Sequence, residues 1–155
     1  AGNLMARMRM AVLYDLSAEH EALVIGTSNR TEILLGYGTL FGDTACAVNP
    51  IGDLYKTWIR ELAITLGIPE SIRSKPPSAD LWTGQTDEDE LGIDYETADR
   101  ILHHLVDERL PVEEVIGIGF DDSLVRGVWA RVERNAYKSR LPEICRLFGA
   151  SDDTP

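Results

Sequence analysis

The spacing of apolar residues at the start of the chain predicts a helix followed by a buried strand. Residues 22–26 form a short, unbroken apolar run, which is typical of a strand buried on both faces of a parallel sheet. Before it, residues 4–19 carry apolar side chains at three- and four-residue steps, which places them on one helical face: Met5, Met8, Val12 and Leu16. The pattern thus indicates a helix that leads directly into a strand.

Helix-start residues follow this strand at once. Asn29 and Glu32 have the spacing of a capping box, in which each residue hydrogen-bonds to the backbone of the other. A glycine-rich stretch over residues 36–43 leads to a second short apolar segment, residues 45–48. The pattern predicts a strand, a sharp turn, a short helix and then a second strand.

The rest of the chain is predicted to be helical around one long loop. Asp53 is interpreted as the cap of a helix whose apolar residues step by four and which ends near Gly67. Residues 69–92 have no regular period, so they are expected to form a loop, and we predict that residues 82–92 become ordered only on substrate binding. Further helices are predicted over residues 95–106, from Pro111, over 122–137 with a buried stripe of Val125, Val128, Trp129 and Val132, and in a short segment that ends at Gly149.

Alternation of strands and helices indicates the α/β class, with one domain over residues 1–150 and a disordered tail over 151–155. Only two strand candidates are present, and a two-stranded parallel sheet is too small to be stable alone. We therefore expect further strands that precede these residues in a longer protein. A truncated sheet also has an unpaired edge, which favours association.

Composition narrows the class of protein. The 155 residues include 15 basic and 26 acidic side chains, and the net charge of −11 repels the phosphates of nucleic acid. No apolar run approaches the roughly 20 residues that a membrane-spanning helix needs. The two cysteines, Cys46 and Cys145, have no spacing typical of zinc sites and are expected to be free thiols in a reducing cytosol. We therefore expect a cytoplasmic protein that binds neither nucleic acid nor membranes.

Two polar residues lie where open α/β sheets bind ligands. Thr27 follows the first predicted strand, so its hydroxyl could contact a phosphate or an adenine edge, although its position alone favours a simple turn or cap residue. Glu32 is either the third residue of the capping box or a carboxylate that binds Mg²⁺ beside a phosphate. Spacing alone leaves both alternatives open.

Lys56 is less easily explained as a structural residue. It lies in the first turn after the predicted Asp53 cap, where the helix dipole makes a cation unfavourable by about 0.3 kcal/mol. A bound phosphate would account for it, although surface lysines also occur at such positions. Arg7 and Arg9 lie about 200° apart around a helix, so they cannot share a face. Ser78 places a hydroxyl next to two prolines and two charged residues.

Five segments occur in an order and at spacings that closely resemble the C-terminal part of the NAD⁺ synthetase family. The resemblance covers nearly the whole chain, and five ordered motifs are far more specific than one. The segments are Gly2-Asn-Leu-Met-Ala-Arg-Met-Arg-Met10, Gly26-Thr-Ser-Asn-Arg-Thr-Glu32, Gly36-Tyr-Gly-Thr-Leu-Phe-Gly-Asp43, Asn49-Pro-Ile-Gly-Asp-Leu-Tyr-Lys56 and Lys75-Pro-Pro-Ser-Ala-Asp-Leu-Trp82.

The resemblance implies an amide-forming ligase reaction. The family makes NAD⁺ from deamido-NAD⁺, ATP and ammonia. ATP first adenylylates the nicotinate carboxylate, and ammonia then attacks the acyl adenylate with release of AMP. Adenylylation supplies a better leaving group and splits one difficult step into two.

The same resemblance assigns roles to the candidate residues. Arg7 corresponds to an arginine that contacts deamido-NAD⁺, and Glu32 corresponds to a magnesium ligand. Residues that bind ATP in the family correspond to Thr27, Lys56 and Ser78. Weaker correspondences place four residues around the dinucleotide: Asn3, Asp43, Tyr137 and Lys138. No catalytic residue is assigned.

The chain also departs from the family pattern. Leu40 and Ala47 stand where some relatives have a Lys and an Asp for deamido-NAD⁺, which puts those contacts in doubt. The strand and SGGxDS loop that bind pyrophosphate and Mg²⁺ in the family do not occur in these 155 residues.

The resemblance therefore implies a Rossmann-like adenine nucleotide α-hydrolase fold, three-layered with a parallel sheet, that lacks its N-terminal strands. It also implies a homodimer and leaves open whether ammonia is free or comes from a glutaminase domain or subunit. The alternative is a truncated, non-catalytic homologue that acts as a dimerisation or nucleotide-binding module.

Overall fold

The computed structural model describes residues 2–79, 81–82, 84–140, 142 and 144–145. The predicted final helix that ends at Gly149 and the tail over residues 151–155 lie outside this part of the chain. The helices are α1 (Gly2–Glu19), α2 (Arg30–Leu35), α3 (Lys56–Thr65), α4 (Glu70–Arg73), α5 (Asp87–Leu91), α6 (Tyr95–Leu102), which continues into a π-helical turn (His103–Asp107), α7 (Val112–Gly117) and α8 (Asp122–Asn135), which is followed by a 3₁₀ turn (Ala136–Ser139).

The two predicted strands lie side by side and run parallel, but they are much shorter than expected. Within the described residues their pairing is a single bridge between Ile25 and Val48. Backbone hydrogen bonds from Gly26 N to Val48 O (2.7 Å) and from Ala47 N to Val24 O (2.9 Å) support it. This leaves an isolated pair of extended segments and not a sheet.

The prediction that residues 22–26 are buried on both faces is wrong. Leu23 is 67% exposed and Ile25 is 56% exposed. An apolar strand becomes buried only when helices cover both faces of its sheet. No element of the described residues covers these two side chains.

The hydrophobic core lies among α6, the π-helical turn, α7 and α8. Tyr95, Ile101 and Leu102 of α6 are fully buried together with Val125 of α8. Val128 is also buried, and Trp129 and Val132 pack against the same core, which confirms the predicted α8 stripe. The carboxyl-terminal helices are therefore folded around one continuous core.

Helices α1 and α3 bury much less apolar surface. The helix predicted over residues 4–19 is confirmed as α1, but Ala6 is its one residue that the structure describes as buried. The described residues of α3 include no buried one, and Trp58 and Leu62 are exposed. No helix in the described part is both long and apolar enough to cross a membrane.

Two predicted details of helix ends have opposite outcomes. The capping box is confirmed, because the Asn29 side chain accepts from Glu32 N and the Glu32 side chain accepts from Asn29 N. The prediction that Asp53 caps α3 is wrong. The cap residue is Tyr55, which makes no side-chain capping bond, and Asp53 forms an ion pair with Arg30. The first N–H groups of α3 bond instead to α2 and α6.

The long segment over residues 69–92 is more regular than predicted. It contains α4 and α5. Thr86 caps α5 by accepting from Asp89 N, and Gly92 ends the helix in the left-handed conformation. A threonine cap at one end and a left-handed glycine at the other thus define a helix that is too short to show a sequence period.

Candidate functional site

One large cleft brings together most of the residues that the sequence singles out. It has a volume of about 870 Å³ and lies where α1, the extended pair, the glycine-rich stretch and residues 72–90 meet. Seven of the nine candidate residues line it: Asn3, Thr27, Glu32, Asp43, Lys56, Ser78 and Lys138. Positions more than 130 residues apart in sequence therefore share one concave surface.

Glu32 and Lys56 form the charged pair of this cleft. Lys56 Nζ donates to Glu32 Oε1 at 3.1 Å, and the two side chains are 22% and 14% exposed, Lys56 being the more exposed. The other carboxylate oxygen, Glu32 Oε2, accepts from Asn29 N at 3.1 Å in the capping box. The capping role of Glu32 thus occupies one oxygen and leaves the other facing Lys56.

A network of tyrosines and carboxylates lies beside this pair. The hydroxyl of Tyr95 donates to Asp87 at 3.0 Å and approaches Glu32 Oε1 at 3.4 Å. The hydroxyl of Tyr37 lies 3.0 Å from both Asp87 and Glu90. Burial, reinforced by the neighbouring carboxylates, raises the pKa of Tyr37 and of Tyr95 well above the ordinary value. Both phenols therefore remain neutral donors at physiological pH.

The glycine-rich stretch is held in place by side chains from both ends of the chain. Lys138 Nζ donates to the carbonyl oxygens of Gly36 (2.7 Å) and Gly38 (3.0 Å). Asp43 accepts from Thr39 N, and the Thr39 hydroxyl bonds to Asn3. Lys138, Asp43 and Asn3 thus shape one wall of the cleft in this structure.

Two of the nine candidates are not among the residues that line the cleft. The guanidinium of Arg7 donates to Leu40 O at 3.2 Å, and Tyr137 is exposed. Arg9 does line the cleft and donates to Ala79 O at 3.3 Å. This agrees with the expectation that Arg7 and Arg9 point in different directions around α1.

Sequence reasoning missed several residues next to the charged pair. Asp87 and Glu90 lie in a run of four acidic residues, and nothing in the sequence marks Tyr37 or Tyr95 as a partner for them. The sequence offers a local indication for Asp87 alone. Thr86 is a helix-capping residue type and acidic residues follow it, which is the pattern of a helix that begins at Asp87. The tyrosine contacts join residues up to 63 positions apart, so no local pattern reveals them.

The donor set fits Mg²⁺ as a partner of a phosphate ligand, but not as an ion held by protein alone. Among the described residues, no group of three or more His, Cys, Asp or Glu side chains is arranged to hold a metal ion. Mg²⁺ is commonly bound through one or two carboxylates together with substrate phosphates and water. Glu32 Oε1 is a carboxylate oxygen of this kind, on a residue that lines the cleft beside Lys56.

A cleft that combines a lysine, a carboxylate and threonine and serine hydroxyls is typical of a site for a phosphate-bearing ligand. The NAD synthase family model matches residues 1–142. The chain belongs to the NAD synthase family.

Curated relatives agree with this assignment. The "NH(3)-dependent NAD(+) synthetase" of Trichlorobacter lovleyi is 50% identical over 152 residues, which cover 98% of this chain and 56% of that protein. The protein of the same name from Fusobacterium nucleatum is 53% identical over 146 residues, which cover 94% and 57%. The chain spans about half the length of the curated relatives it matches.

Solved structures show the same fold. The "NMN synthetase" of Francisella tularensis matches with a TM-score of 0.77 at 35% identity, over 95% of this chain and 56% of that one. The "NH3-dependent NAD synthetase" of Campylobacter jejuni, in complex with the nitrate ion, matches with a TM-score of 0.74 at 41% identity, over 94% and 55%. The chain therefore has the fold of the corresponding part of these synthetases.

Proposed function

We propose that this chain provides the nucleotide-binding part of an amide-forming ligase that converts deamido-NAD⁺ to NAD⁺ with ATP and ammonia. One observation carries the proposal most directly: Lys56 and Glu32 form a pair at 3.1 Å in the same cleft as Thr27 and Ser78. Family membership independently favours this reaction.

The proposed reaction has two steps. A carboxylate oxygen of nicotinate attacks the α-phosphorus of ATP, and the bond to the bridging oxygen breaks with release of pyrophosphate. The nitrogen of ammonia then attacks the acyl carbon, the bond from that carbon to the adenylate oxygen breaks, and AMP leaves. The nitrogen loses one proton to form the amide.

The residues of the cleft suit the charge that develops in the first step. The Lys56 ammonium would bind phosphate oxygens of ATP, and the hydroxyls of Thr27 and Ser78 would orient the nucleotide. Bound Mg²⁺ would neutralise phosphate charge, and Glu32 Oε1 would hold it. Five residues are proposed to lie around the dinucleotide: Arg7, Asn3, Asp43, Tyr137 and Lys138. Asp43 and Lys138 would act through the wall of the cleft that they shape.

Finer features of the family are proposed on the same basis. They are a Rossmann-like, three-layered adenine nucleotide α-hydrolase fold with a parallel sheet, a homodimer and a cytoplasmic location. Free ammonia is proposed as the nitrogen source because the curated relatives are named NH(3)-dependent. The parallel bridge between Ile25 and Val48 is the part of such a sheet that supports the fold proposal.

Binding of Mg·ATP to the purified chain tests the proposal. We expect saturable binding that weakens about tenfold or more in Lys56→Met, because a charge-assisted contact to phosphate contributes about 1.5–3 kcal/mol. Arg126→Met is the matched control, since Arg126 is an exposed cation that pairs with Asp122 and does not line the cleft. Equal binding by both variants would contradict the assignment of Lys56.

A second assay asks whether this chain carries out amide formation by itself, and on which substrate. The chain is given ATP, Mg²⁺, ammonium and either deamido-NAD⁺ or nicotinate mononucleotide, and the amide product is measured. Preferential formation of NAD⁺ would support the proposal. Preferential amidation of nicotinate mononucleotide would mean that the mononucleotide, and not deamido-NAD⁺, is the substrate. Because the SGGxDS loop does not occur in these residues, tight binding of ATP without any amide product would restrict this chain to binding the nucleotide and would not contradict the proposed reaction of the ligase.

A further inference from the structure

The start of α3, which carries Lys56, is capped by side chains from two other helices. Lys56 N donates to Thr31 Oγ1 at 3.1 Å, and Thr57 N donates to Asp99 Oδ2 at 2.8 Å. The residue at the cap position, Tyr55, makes no side-chain capping bond. Helix α3 therefore begins where α2 and α6 supply acceptors for its first two N–H groups.

These two acceptors are also bonded to each other. The Thr31 hydroxyl donates to Asp99 Oδ1, so each oxygen of the carboxylate has a partner. Thr31 is fully buried and Asp99 is 4% exposed. A buried carboxylate is tolerated only when it is hydrogen-bonded, and a negative charge near a helix N-terminus is favourable. The network is thus a fixed joint between α2, α3 and α6.

This joint lies next to both members of the charged pair. Thr31 precedes Glu32 in α2, and its hydroxyl accepts directly from the backbone of Lys56. The position of Lys56 Nζ relative to Glu32 Oε1 therefore depends on the bond from Lys56 N to Thr31 Oγ1. Neither the Lys56 side chain nor the Glu32 side chain takes part in that bond. A misplacement of about 1 Å in residues that position a substrate can lower a reaction rate about 100-fold.

We propose that Thr31 and Asp99 are positioning residues that hold Lys56 and Glu32 at the separation required for Mg·ATP. This inference rests on the proposed function of the cleft. Neither residue lines the cleft, so both act through the backbone of α3 and not through contact with the nucleotide.

The first test measures the dissociation constant for Mg·ATP in four variants of the whole chain. Thr31→Val removes the hydroxyl and keeps the shape, and Asp99→Ala removes the acceptor for Thr57 N. Both are expected to weaken binding about tenfold or more, whereas Thr31→Ser keeps the hydroxyl and is expected to stay within about threefold. Val125→Ala, in the core, is the control for general destabilisation and is expected to bind as the parent does.

The second test needs no ligand. We expect hydrogen exchange at the Lys56 amide to accelerate about tenfold in Thr31→Val, and at the Thr57 amide in Asp99→Ala, with amides inside α8 unchanged. Unchanged exchange at these two amides would overturn the cap itself.

The two tests separate the joint from the proposed function. Parent-like binding by Thr31→Val would overturn the positioning role. If the parent chain does not bind Mg·ATP, the proposed function fails and the positioning role fails with it, whereas the exchange data still decide whether the cap exists.

Discussion

The two regions of the described chain use their helices in different ways. In the carboxyl-terminal region, residues 94–135, the apolar faces of α6 and α8 meet each other and become buried. In the amino-terminal region, residues 2–66, the apolar faces of α1 and α3 remain largely exposed. The difference teaches that periodicity defines which face of a helix is apolar, whereas the neighbouring elements decide whether that face is buried.

The same contrast holds for helix starts. Asp94 and Asp121 cap α6 and α8 from the position directly before each helix. Helix α3 instead depends on Asp99, which is 42 residues away from the amide that it accepts from. Helices α6 and α8 thus begin at local signals, whereas α3 begins at contacts that are distant in sequence.

The largest expected effect comes from removing a leucine in each region. Leu102 in α6 is fully buried and Leu16 in α1 is 42% exposed. We expect Leu102→Ala to lower the free energy of unfolding by about 2–5 kcal/mol, because it leaves a cavity in a packed core. Leu16→Ala should change it by about 0.5 kcal/mol or less. Urea denaturation measures both.

A similar loss in the two leucine variants would break the comparison. It would mean that the apolar face of α1 is covered in solution. Sedimentation of the parent chain would then show whether a second copy covers it.

A smaller effect is expected at two glycines that differ in conformation. Gly36 ends α2 with φ at +63°, and a Cβ there would lie 2.2 Å from the Cβ of Asn135. Gly36→Ala should therefore cost about 2 kcal/mol or more. Gly127 lies inside α8, and a Cβ added there would meet nothing within 4 Å beyond the backbone of its own helix. Gly127→Ala should therefore stabilise the chain by about 0.5–1 kcal/mol. Thermal unfolding distinguishes the opposite signs.

The features that sequence predicted correctly depend on residues close together in the chain. The Asn29–Glu32 capping box and the α8 stripe of Val125 and Val128 each join residues a few positions apart. The family resemblance added Asn3, Asp43 and Lys138 to the candidates that line the cleft, because ordered motifs carry information about contacts that spacing alone does not. Asp53 shows the limit: its position fits a cap, but the ion pair with Arg30 competes for its carboxylate.

The unpredicted part of the site consists of contacts between distant elements. Tyr95 reaches Glu32 across 63 positions, and Thr31 reaches Asp99 across 68. Each residue has an ordinary local explanation as a helix residue, so sequence offers no reason to pair them. Such pairs form only after α2, α5 and α6 have packed together.

The smallest effect is expected from replacing two aspartates, Asp94 and Asp53. Asp94 caps α6, whereas Asp53 precedes α3 in sequence but does not cap it. Asp94 accepts from Thr97 N at 2.8 Å, and this backbone bond holds the pKa of the Asp94 carboxyl below its ordinary value of 3.8. At neutral pH, Asp94→Ala should cost about 1 kcal/mol. The Asp53 side chain is 93% exposed, so Asp53→Ala should lower the free energy of unfolding by about 0.5 kcal/mol or less.

The pH dependence of the two variants sharpens this prediction. Because the pKa of Asp94 is lower in the folded chain than in the unfolded chain, its contribution is complete above pH 3.8 and is lost as the pH falls through the folded-state pKa. The stability difference between the parent and Asp94→Ala should therefore shrink on acidification. A difference that stays constant down to about pH 2 would mean that the Asp94 side chain stabilises α6 through packing and not through its charge-assisted bond to Thr97 N.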